Sequence, residues 1–241
     1  MAYRLGGLAW VINGSIGSLL MMYIWTIVTP DTGLVVTYYL GIILLGRVTG
    51  SWSFGQISES IKDGSISQNL VKPFHYVYHQ EFSHDIGAKV NRLVSMIPYI
   101  IVLGILFNNY LHLPSLDKVF IAIPAMFMGY IINFLLGSSL GLLTVWTGDA
   151  DGIGRTYDVI NGLAAGYVIP YFFLPLTIRN IFTILPFRYV VSFPVEIMLN
   201  NLSSSQLMSG YLILSFWTIA SIVLFRWLDA KSARSFSAHG G

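Results

Sequence analysis

The sequence predicts an all-α membrane protein with six transmembrane helices and both termini in the cytoplasm. Hydrophobic residues make up 55% of the 241 residues and charged residues only 10%, whereas a soluble domain carries about 25% Asp, Glu, Lys and Arg. The apolar residues form long uncharged runs, so lipid is the solvent for most of the chain. With this topology, ten of the 13 Lys and Arg residues lie on the cytoplasmic side, as the positive-inside rule requires.

The composition also excludes several classes of function. Cysteine is absent, which excludes disulfide scaffolds, thiolate metal sites and cysteine nucleophiles. A net charge of +2 is too small to indicate a nucleic-acid partner. No GxxxxGK[ST] sequence occurs, so the chain does not bind a nucleotide through the usual phosphate loop.

The whole chain, 1–241, is predicted to form a single transmembrane domain. A helix needs about 20 apolar residues to cross about 30 Å of hydrocarbon. The spans are predicted at about 5–28, 34–54, 93–111, 119–147, 159–178 and 207–228. The first is longer than the apolar region of a signal peptide, about 7–15 residues, and is interpreted as a membrane anchor. Pro170 and Pro175 should kink the fifth helix.

Two of the connecting segments are long enough to have structure of their own. Residues 55–92 form the predicted cytoplasmic loop, with short helices on either side of the breaker Asp63-Gly64. Residues 179–206 form the predicted external segment, which is apolar and punctuated by proline. We expect short helices there that lie in or dip into the outer interface, with Tyr and Phe at headgroup level.

Small and polar residues within the spans indicate how the helices pack. Three GxxxG pairs predict close approach of helices, namely Gly46/Gly50, Gly137/Gly141 and Gly162/Gly166. Uncharged polar side chains within spans are more typical of interhelical hydrogen bonds than of ligand contacts. These are Asn13, Asn133 and Asn161. Arg47 lies inside the second span and either snorkels to the inner headgroups or lines an inner vestibule.

One cluster has the composition of a metal or catalytic site. It consists of His75, His79, Glu81, His84 and Asp85. On a helix, His75 and His79 would share one face at a spacing that zinc uses, but no third ligand falls on that face. We interpret the stretch as amphipathic and interfacial, and we predict neither a metal site nor a catalytic residue in this chain.

The order of the motifs resembles that of a known family. The run after the second span comprises Trp52, Ile57, Ile61, Gly64, Ser67, Leu70 and Lys72-Pro73. It is similar to the segment after the second helix of ABC-2 type transporter permeases. The segments 185–189, 193–196 and 234–241 resemble that family's sequence before the last helix and at its terminus. The resemblance covers nearly the whole chain and keeps the order of its parts.

The resemblance implies a non-catalytic permease subunit in a multi-pass arrangement, in the cell (inner) membrane of a prokaryote. Its partners would be a second copy or a paralogue, membrane lipids, and separate cytoplasmic subunits that bind ATP and Mg. No cofactor is expected in this chain. The family's short helix that docks in the ATP-binding subunit corresponds to Glu59 to Leu70. The residues expected to couple the two subunits are Glu59, Ile61, Lys62, Gly64, Ser67 and Leu70.

The resemblance also implies a substrate pathway along the first, second and fifth helices. Candidate residues are Asn13, Tyr23, Tyr38 and Arg47. Many aromatics with one positive charge suit export of an amphipathic or hydrophobic substrate, such as a drug, a lipid or a glycolipid. The alternative function is a secondary transporter or channel without an ATPase, which predicts intramembrane coupling acids and an inverted repeat. A membrane-embedded enzyme is a third class, and only the His75–Asp85 cluster would serve it.

Overall fold

The computed structural model describes residues 2–66, 82–148, 151–200 and 202–239, and all regular secondary structure in these ranges is helical. In chain order the helices are α1 (Ala2–Val28), α2 (Thr32–Thr49), α3 (Ser53–Lys62), α4 (Phe82–Leu106), α5 (Leu116–Leu142), α6 (Thr144–Thr147), α7 (Asp151–Ala164), α8 (Leu176–Ile184), α9 (Phe187–Val190), α10 (Ser192–Met198) and α11 (Ser204–His239). Single 3-10 turns occupy Asn108–Tyr110 and Tyr171–Phe173.

Four helical stretches among the described residues are long and apolar enough to cross a membrane. They are Thr32–Thr49, Phe82–Leu106, Leu116–Thr147 and Ser204–Ser235. Ile12–Val28 within α1 is a shorter apolar helix. Because only helices and closed barrels satisfy their backbone in lipid, these helices indicate a multi-pass membrane protein. The crossing number of six and the cytoplasmic termini stay predictions.

The second and third predicted spans have different bounds in the structure. α2 ends at Thr49, because Gly50 turns the backbone to an extended conformation (φ −63°, ψ 144°). Residues 53 and 54, which the prediction placed in the second span, therefore begin the separate helix α3. α4 starts at Phe82, well before the predicted third span, and ends at Leu106. Part of the predicted 55–92 loop is thus a continuation of the third apolar helix.

The predicted fifth span, 159–178, is not one helix. α7 ends at Ala164, and the chain is irregular up to α8 apart from one 3-10 turn. Gly166 has a φ of +89°, a value that only glycine adopts easily. Prolines 170 and 175 then prevent an immediate return to helix. The expected kink is therefore a full interruption.

Long-range hydrogen bonds satisfy the carbonyl groups that this interruption leaves without helical partners. Tyr38 donates to the Gly166 carbonyl at 3.0 Å. Trp25 and Tyr39 both donate to the Val168 carbonyl, at 3.0 and 2.9 Å. Since an unpaired carbonyl in hydrocarbon costs several kcal/mol, these side chains of α1 and α2 allow the break to lie inside the bundle.

The centre of the molecule is α2, which is buried on most of its circumference. Among its residues Val35, Tyr38, Tyr39 and Ile42 have no exposed surface. A helix that is apolar all round belongs in the middle of a bundle, and α2 packs against α1, α4, α5 and α10. Gly129 of α5 lets the backbone of 189–190 approach, because a Cβ there would lie 2.6 Å from the Tyr189 carbonyl oxygen.

The segment 179–206 contains the expected short helices, but their burial differs from the expectation. Tyr189 and Phe193 are fully buried, although the sequence suggested aromatic residues at headgroup level. α10 is buried from Ser192 to Ile197. The apolar residues of α9 and α10 therefore serve as core, whereas α8 has no buried residue and exposes Ile181 and Ile184.

Candidate functional site

The helix α3 lies flat against α5 through a face of small and aliphatic residues. Ile57 is fully buried and fits over Gly141, where a Cβ would lie 3.0 Å from the Ile57 Cβ. Ser53 fits over Gly137 in the same way, and its hydroxyl donates to the Phe134 carbonyl at 2.8 Å. The Gly137/Gly141 pair is thus used for close packing within this chain, against α3.

The opposite face of α3 is exposed and charged. Glu59 and Lys62 point outward, and Asp63 and Gly64 continue this surface beyond the end of the helix. Gly64 has a φ of +76°, so the turn needs a residue that tolerates the left-handed region. The backbone N–H of Ser65 donates to the Asp63 carboxylate at 2.9 Å, and this hydrogen bond lowers the pKa of Asp63.

The predicted coupling residues therefore divide into three groups. Glu59, Lys62 and Gly64 are exposed, and Ile61 is half-buried. Ser67 and Leu70 lie outside the described residues. Ile66, the last described residue before that gap, is buried at 3% exposure and belongs to the same apolar cluster as Ile57. The turn after α3 is consequently held to the bundle on its inner side.

Behind α3 the structure places a buried ion pair that no sequence motif indicated. Asp85 and Lys89 lie one turn apart on α4, with 3.9 Å between Asp85 Oδ2 and Lys89 Nζ. Asp85 is 1% exposed and Lys89 8%. Lys89 also lies over the Tyr130 ring, 3.9 Å from its centroid. Their spacing of four residues on a helix was the available signal for this pair.

The Asp85–Lys89 pair joins the end of α2 to the start of α3. Lys89 donates to the carbonyls of Val48 and Gly50, at 2.8 and 2.6 Å. These carbonyls are at the C-terminal end of α2, where the helix dipole favours a cation. Asp85 accepts from the Trp52 backbone N–H at 3.5 Å, just before α3. Lys89 thus lies at the negative end of the α2 dipole, and Asp85 lies at the positive end of the α3 dipole.

Further hydrogen bonds extend this junction to α5 and α7. The Tyr130 hydroxyl donates to Asp85 Oδ2 at 2.9 Å. Asn133 Nδ2 donates to the Thr49 carbonyl at 3.1 Å, while Asn133 Oδ1 accepts from the Tyr157 hydroxyl at 2.8 Å. The prediction that Asn133 makes interhelical hydrogen bonds is confirmed. We call Asp85, Lys89, Tyr130, Asn133 and Tyr157 the junction cluster.

The His75–Asp85 cluster is only partly described. His75, His79 and Glu81 lie outside the described residues. His84 is exposed, and its Nδ1 lies 2.6 Å from Gln56 Nε2 of α3. Asp85 is directed instead into the junction cluster, so the structure does not bring His84 and Asp85 together as a ligand pair. Within the described part of the chain, no group of three or more His, Asp or Glu side chains could hold a metal ion.

Of the four predicted pathway residues, the structure brings Asn13 and Arg47 near each other and leaves Tyr23 and Tyr38 apart from them. Asn13 and Tyr23 are exposed on α1. Arg47 of α2 is half-buried, and its guanidinium occupies the space that a side chain at Gly14 of α1 would need. Arg47 and the Asn13 region therefore lie together between α1 and α2. Tyr38 lies apart from them, fully buried, with its hydroxyl 2.8 Å from Ser192 Oγ as well as bonded to Gly166.

A second buried ion pair joins α9 to α10 near Tyr38 of α2, to which Ser192 is hydrogen-bonded. Arg188 Nη2 and Nε donate to the two carboxylate oxygens of Glu196, and Ser192 donates to Glu196 Oε1 at 3.0 Å. The Arg188 guanidinium also lies 4.9 Å from the Tyr171 ring centroid. Burial alone would lower the pKa of Arg188, but the charge and hydrogen bonds of Glu196 outweigh it and raise the pKa.

Comparison with known proteins gives one match. A family model described as ABC-2 family transporter protein matches residues 25–240. This range contains α2 to α11, and therefore α3, the junction cluster and the Arg188–Glu196 pair. No curated protein and no solved structure matches the chain.

Proposed function

Because the chain belongs to the ABC-2 family of transporter proteins, we propose that it is a permease driven through α3 by a separate ATP-binding subunit. Membership of the family supports a transport role, and the apolar helices support a multi-pass membrane location. The observation that carries the proposed coupling is the two-sided character of α3. One face is packed against α5, the residue before α3 is bonded to Asp85, and the other face is exposed and charged.

The packing behind α3 makes this helix suitable for transmitting a displacement to the rest of the bundle. Its Phe54 ring packs on Gly154 of α7, and Ile57 packs on Gly141 of α5. The Asp85–Lys89 pair holds the adjoining end of α2 to α4. Since close-packed interiors transmit displacements, a push on the exposed face would move four helices together. ATP binding in the partner would then bias the bundle between inward- and outward-facing states.

The proposed substrate pathway lies along α1 and α2, with export as the direction. Arg47 against Gly14 supplies a cation between the largely apolar helices α1 and α2. Tyr23 is 65% exposed on α1, so it is available to a substrate or to lipid. A drug, lipid or glycolipid-like molecule with apolar and polar parts would suit these surfaces. Tyr38 takes a structural role in this proposal, because its hydroxyl is bonded within the core.

The proposed assembly follows from the family pattern. Two permease copies, or this chain and a paralogue, would pair in a prokaryotic cell (inner) membrane with six spans each and cytoplasmic termini. Two cytoplasmic subunits would bind the ATP and Mg, and this chain would supply no catalytic residue. The charged exposed face of α3 is then on the same side as most Lys and Arg residues.

The alternative of a secondary transporter or channel has one observation in its favour. Asp85 is a buried carboxylate at the start of an apolar helix, and such residues often serve ion coupling. Its contacts favour a structural role, because it is held by Lys89, Tyr130 and the Trp52 N–H. Transport driven by an ion gradient without any ATP-binding subunit would support the alternative.

Co-purification with the ATP-binding subunit from the native membrane tests the proposal. Glu59→Lys reverses a charge on the exposed face of α3 and disturbs no buried contact, so the chain should insert normally but lose the subunit. Asp117→Lys is the matched control, since Asp117 is an exposed acid near the start of α5 and should retain the complex. Full retention by Glu59→Lys and by the double variant Glu59→Lys/Gly64→Asp would contradict docking on α3.

A further inference from the structure

A long apolar groove runs between α5, α7 and α11, and we propose that it binds one acyl chain of an anionic phospholipid whose phosphate is held at Lys231. The groove has a volume of about 780 Å³, within the range of about 300–1,000 Å³ that is usual for small-molecule sites. Its walls are mainly aliphatic and aromatic, and include Leu136, Leu140, Ile153, Ile160, Trp217 and Trp227.

Most polar atoms along the groove are already bonded within the chain. The Tyr157 hydroxyl donates to Asn133 at 2.8 Å, and Trp217 Nε1 donates to the Ile184 carbonyl at 2.7 Å. The Thr156 hydroxyl donates to the Gly152 carbonyl of its own helix at 2.9 Å. The buried hydroxyl of Ser139 has no hydrogen-bond partner in the described part of the chain. Walls of this kind favour a hydrocarbon chain over a polar ligand, because a polar ligand would lose its hydration without compensation.

The groove is continuous with the surface of α11 that faces outward. Leu224 and Trp227 line the groove and also belong to an exposed apolar row on α11. Phe216, Ile219 and Val223 in that row are 62%, 63% and 61% exposed. On a helix long and apolar enough to span the bilayer, such a row faces lipid. An acyl chain can therefore enter the groove sideways from the membrane.

The charges at one end of the groove select the headgroup. Lys231 Nζ lies 5.2 Å from the ring centroid of Trp227, which lines the groove, and 5.6 Å from that of Trp146. Lysine beside tryptophan is typical of headgroup level, where the ammonium reaches a phosphate while its methylenes stay on apolar surface. Beyond Trp227, α11 carries Asp229, Lys231 and Arg234, a net charge of +1. A negatively charged lipid complements this end.

The groove is separate from the sites proposed for coupling and for substrate transport, and it can be tested independently of them. It lies on α5, α7 and α11, away from the α1–α2 region of Arg47 and from the exposed face of α3. The proposed topology would place Lys231 and its lipid at the inner leaflet, and no other part of this inference depends on that topology. A lipid-binding measurement on the permease in vesicles needs no ATP-binding subunit, so its failure and the failure of the coupling proposal are distinguishable.

Fluorescence quenching in vesicles of phosphatidylcholine tests the site, because Trp227 is at the groove. A small fraction of phosphatidylglycerol with brominated acyl chains should quench the protein more, and in a saturable way, than the same fraction of brominated phosphatidylcholine. The excess should fall in Trp227→Phe and disappear when Trp217 is replaced by Phe as well, because both tryptophans line the groove. Lys231→Gln should reduce the preference for phosphatidylglycerol about fivefold, the effect of one lysine beside an anionic surface.

Two further variants separate this result from general effects. Thr156→Phe adds a ring to the groove from an exposed position and should abolish the saturable component while leaving the fold intact. Arg226→Gln removes an equal charge from an exposed residue five positions before Lys231 and should keep the preference. Equal quenching by the two brominated lipids in the unaltered protein would overturn the proposal and would point to a second copy of the chain as the cover of this groove. So would a preference that survives both Lys231→Gln and Thr156→Phe.

Discussion

The two buried ion pairs, Asp85–Lys89 and Arg188–Glu196, are similarly buried but differ in the number of helices that their hydrogen bonds connect. The Arg188–Glu196 pair lies within one short segment and is completed by Ser192, four residues before Glu196. The Asp85–Lys89 pair is formed on α4, but its hydrogen bonds go to α2, to the residue before α3 and to α5. The Arg188–Glu196 pair thus stabilises a local fold, while the Asp85–Lys89 pair connects helices that would have to move together.

The largest effect is expected at the Arg188–Glu196 pair. Glu196→Gln leaves the Arg188 charge buried without its counterion, and removal of one partner of a buried pair costs about 3–5 kcal/mol. The thermal unfolding midpoint in detergent should fall accordingly. The double variant Arg188→Met/Glu196→Met removes both charges and should be more stable than Glu196→Gln. If the double variant is less stable than Glu196→Gln, the loss of stability comes from the missing ion pair rather than from an unpaired buried Arg188.

Lys89→Met is expected to be less destabilising, because Asp85 keeps its hydrogen bonds from Tyr130 and from the Trp52 N–H when its cation is lost, but it should be more damaging to coupling. It removes the cation from the Val48 and Gly50 carbonyls, and hydrogen bonds to a charged group contribute about 1.5–3 kcal/mol. Transport per folded molecule should also fall, because the end of α2 is no longer held beside α3. Arg226→Met, at an exposed position, is the control and should change neither quantity. If Glu196→Gln reduces transport per folded molecule as strongly as Lys89→Met does, the two ion pairs do not differ in their role in coupling.

Overfilling the contact between α3 and α5 should have an intermediate effect. Gly141→Leu places a side chain where Ile57 now packs, and overpacking typically costs about 1–3 kcal/mol. Gly162→Leu is the matched control, because no atom lies within 4 Å of a Cβ built at Gly162. Unfolding midpoints of the two variants should therefore separate. Equal midpoints would indicate that α3 can shift away from α5 without cost, which would weaken the view that α3 transmits a displacement to the bundle.

The smallest change in stability is expected for Glu59→Lys. An exposed substitution of this kind usually alters the free energy of unfolding by less than about 0.5 kcal/mol. ATP-driven transport should nevertheless be lost, so this variant separates docking from folding most clearly. A large fall in the unfolding midpoint would show that the outer face of α3 is structural.

The sequence was sufficient to predict the helical membrane fold, because uncharged apolar runs leave few other structures in lipid. It also indicated the break at Asp63-Gly64 and the interhelical role of Asn133. The interruption after Ala164 depends on Tyr38 and on Trp25, more than a hundred residues away in the chain. A local pattern of apolar residues and prolines carries no information on such partners.

The sequence predicted a short helix before Asp63-Gly64, and α3 (Ser53–Lys62) lies there. The docking role of Glu59 to Leu70, which comes from the family resemblance, stays a prediction. The ion pair behind α3 was not found, because Asp85 was grouped with the histidines before it and Lys89 was counted only as a positive charge. Its function depends on where the carbonyls of Val48 and Gly50 lie, and those positions follow from the packing of α2 rather than from any motif.

Site-specific photocross-linking tests most directly whether the exposed face of α3 receives the ATP-binding subunit. A photoreactive phenylalanine would replace Glu59 in one variant and Asp117 in another, both exposed residues. We predict an adduct with the ATP-binding subunit at position 59, with a yield that changes on addition of ATP, and none at position 117. An adduct at position 117 would contradict the account. So would the absence of an adduct at position 59 and in further variants that carry the photoreactive residue at positions 62 and 64.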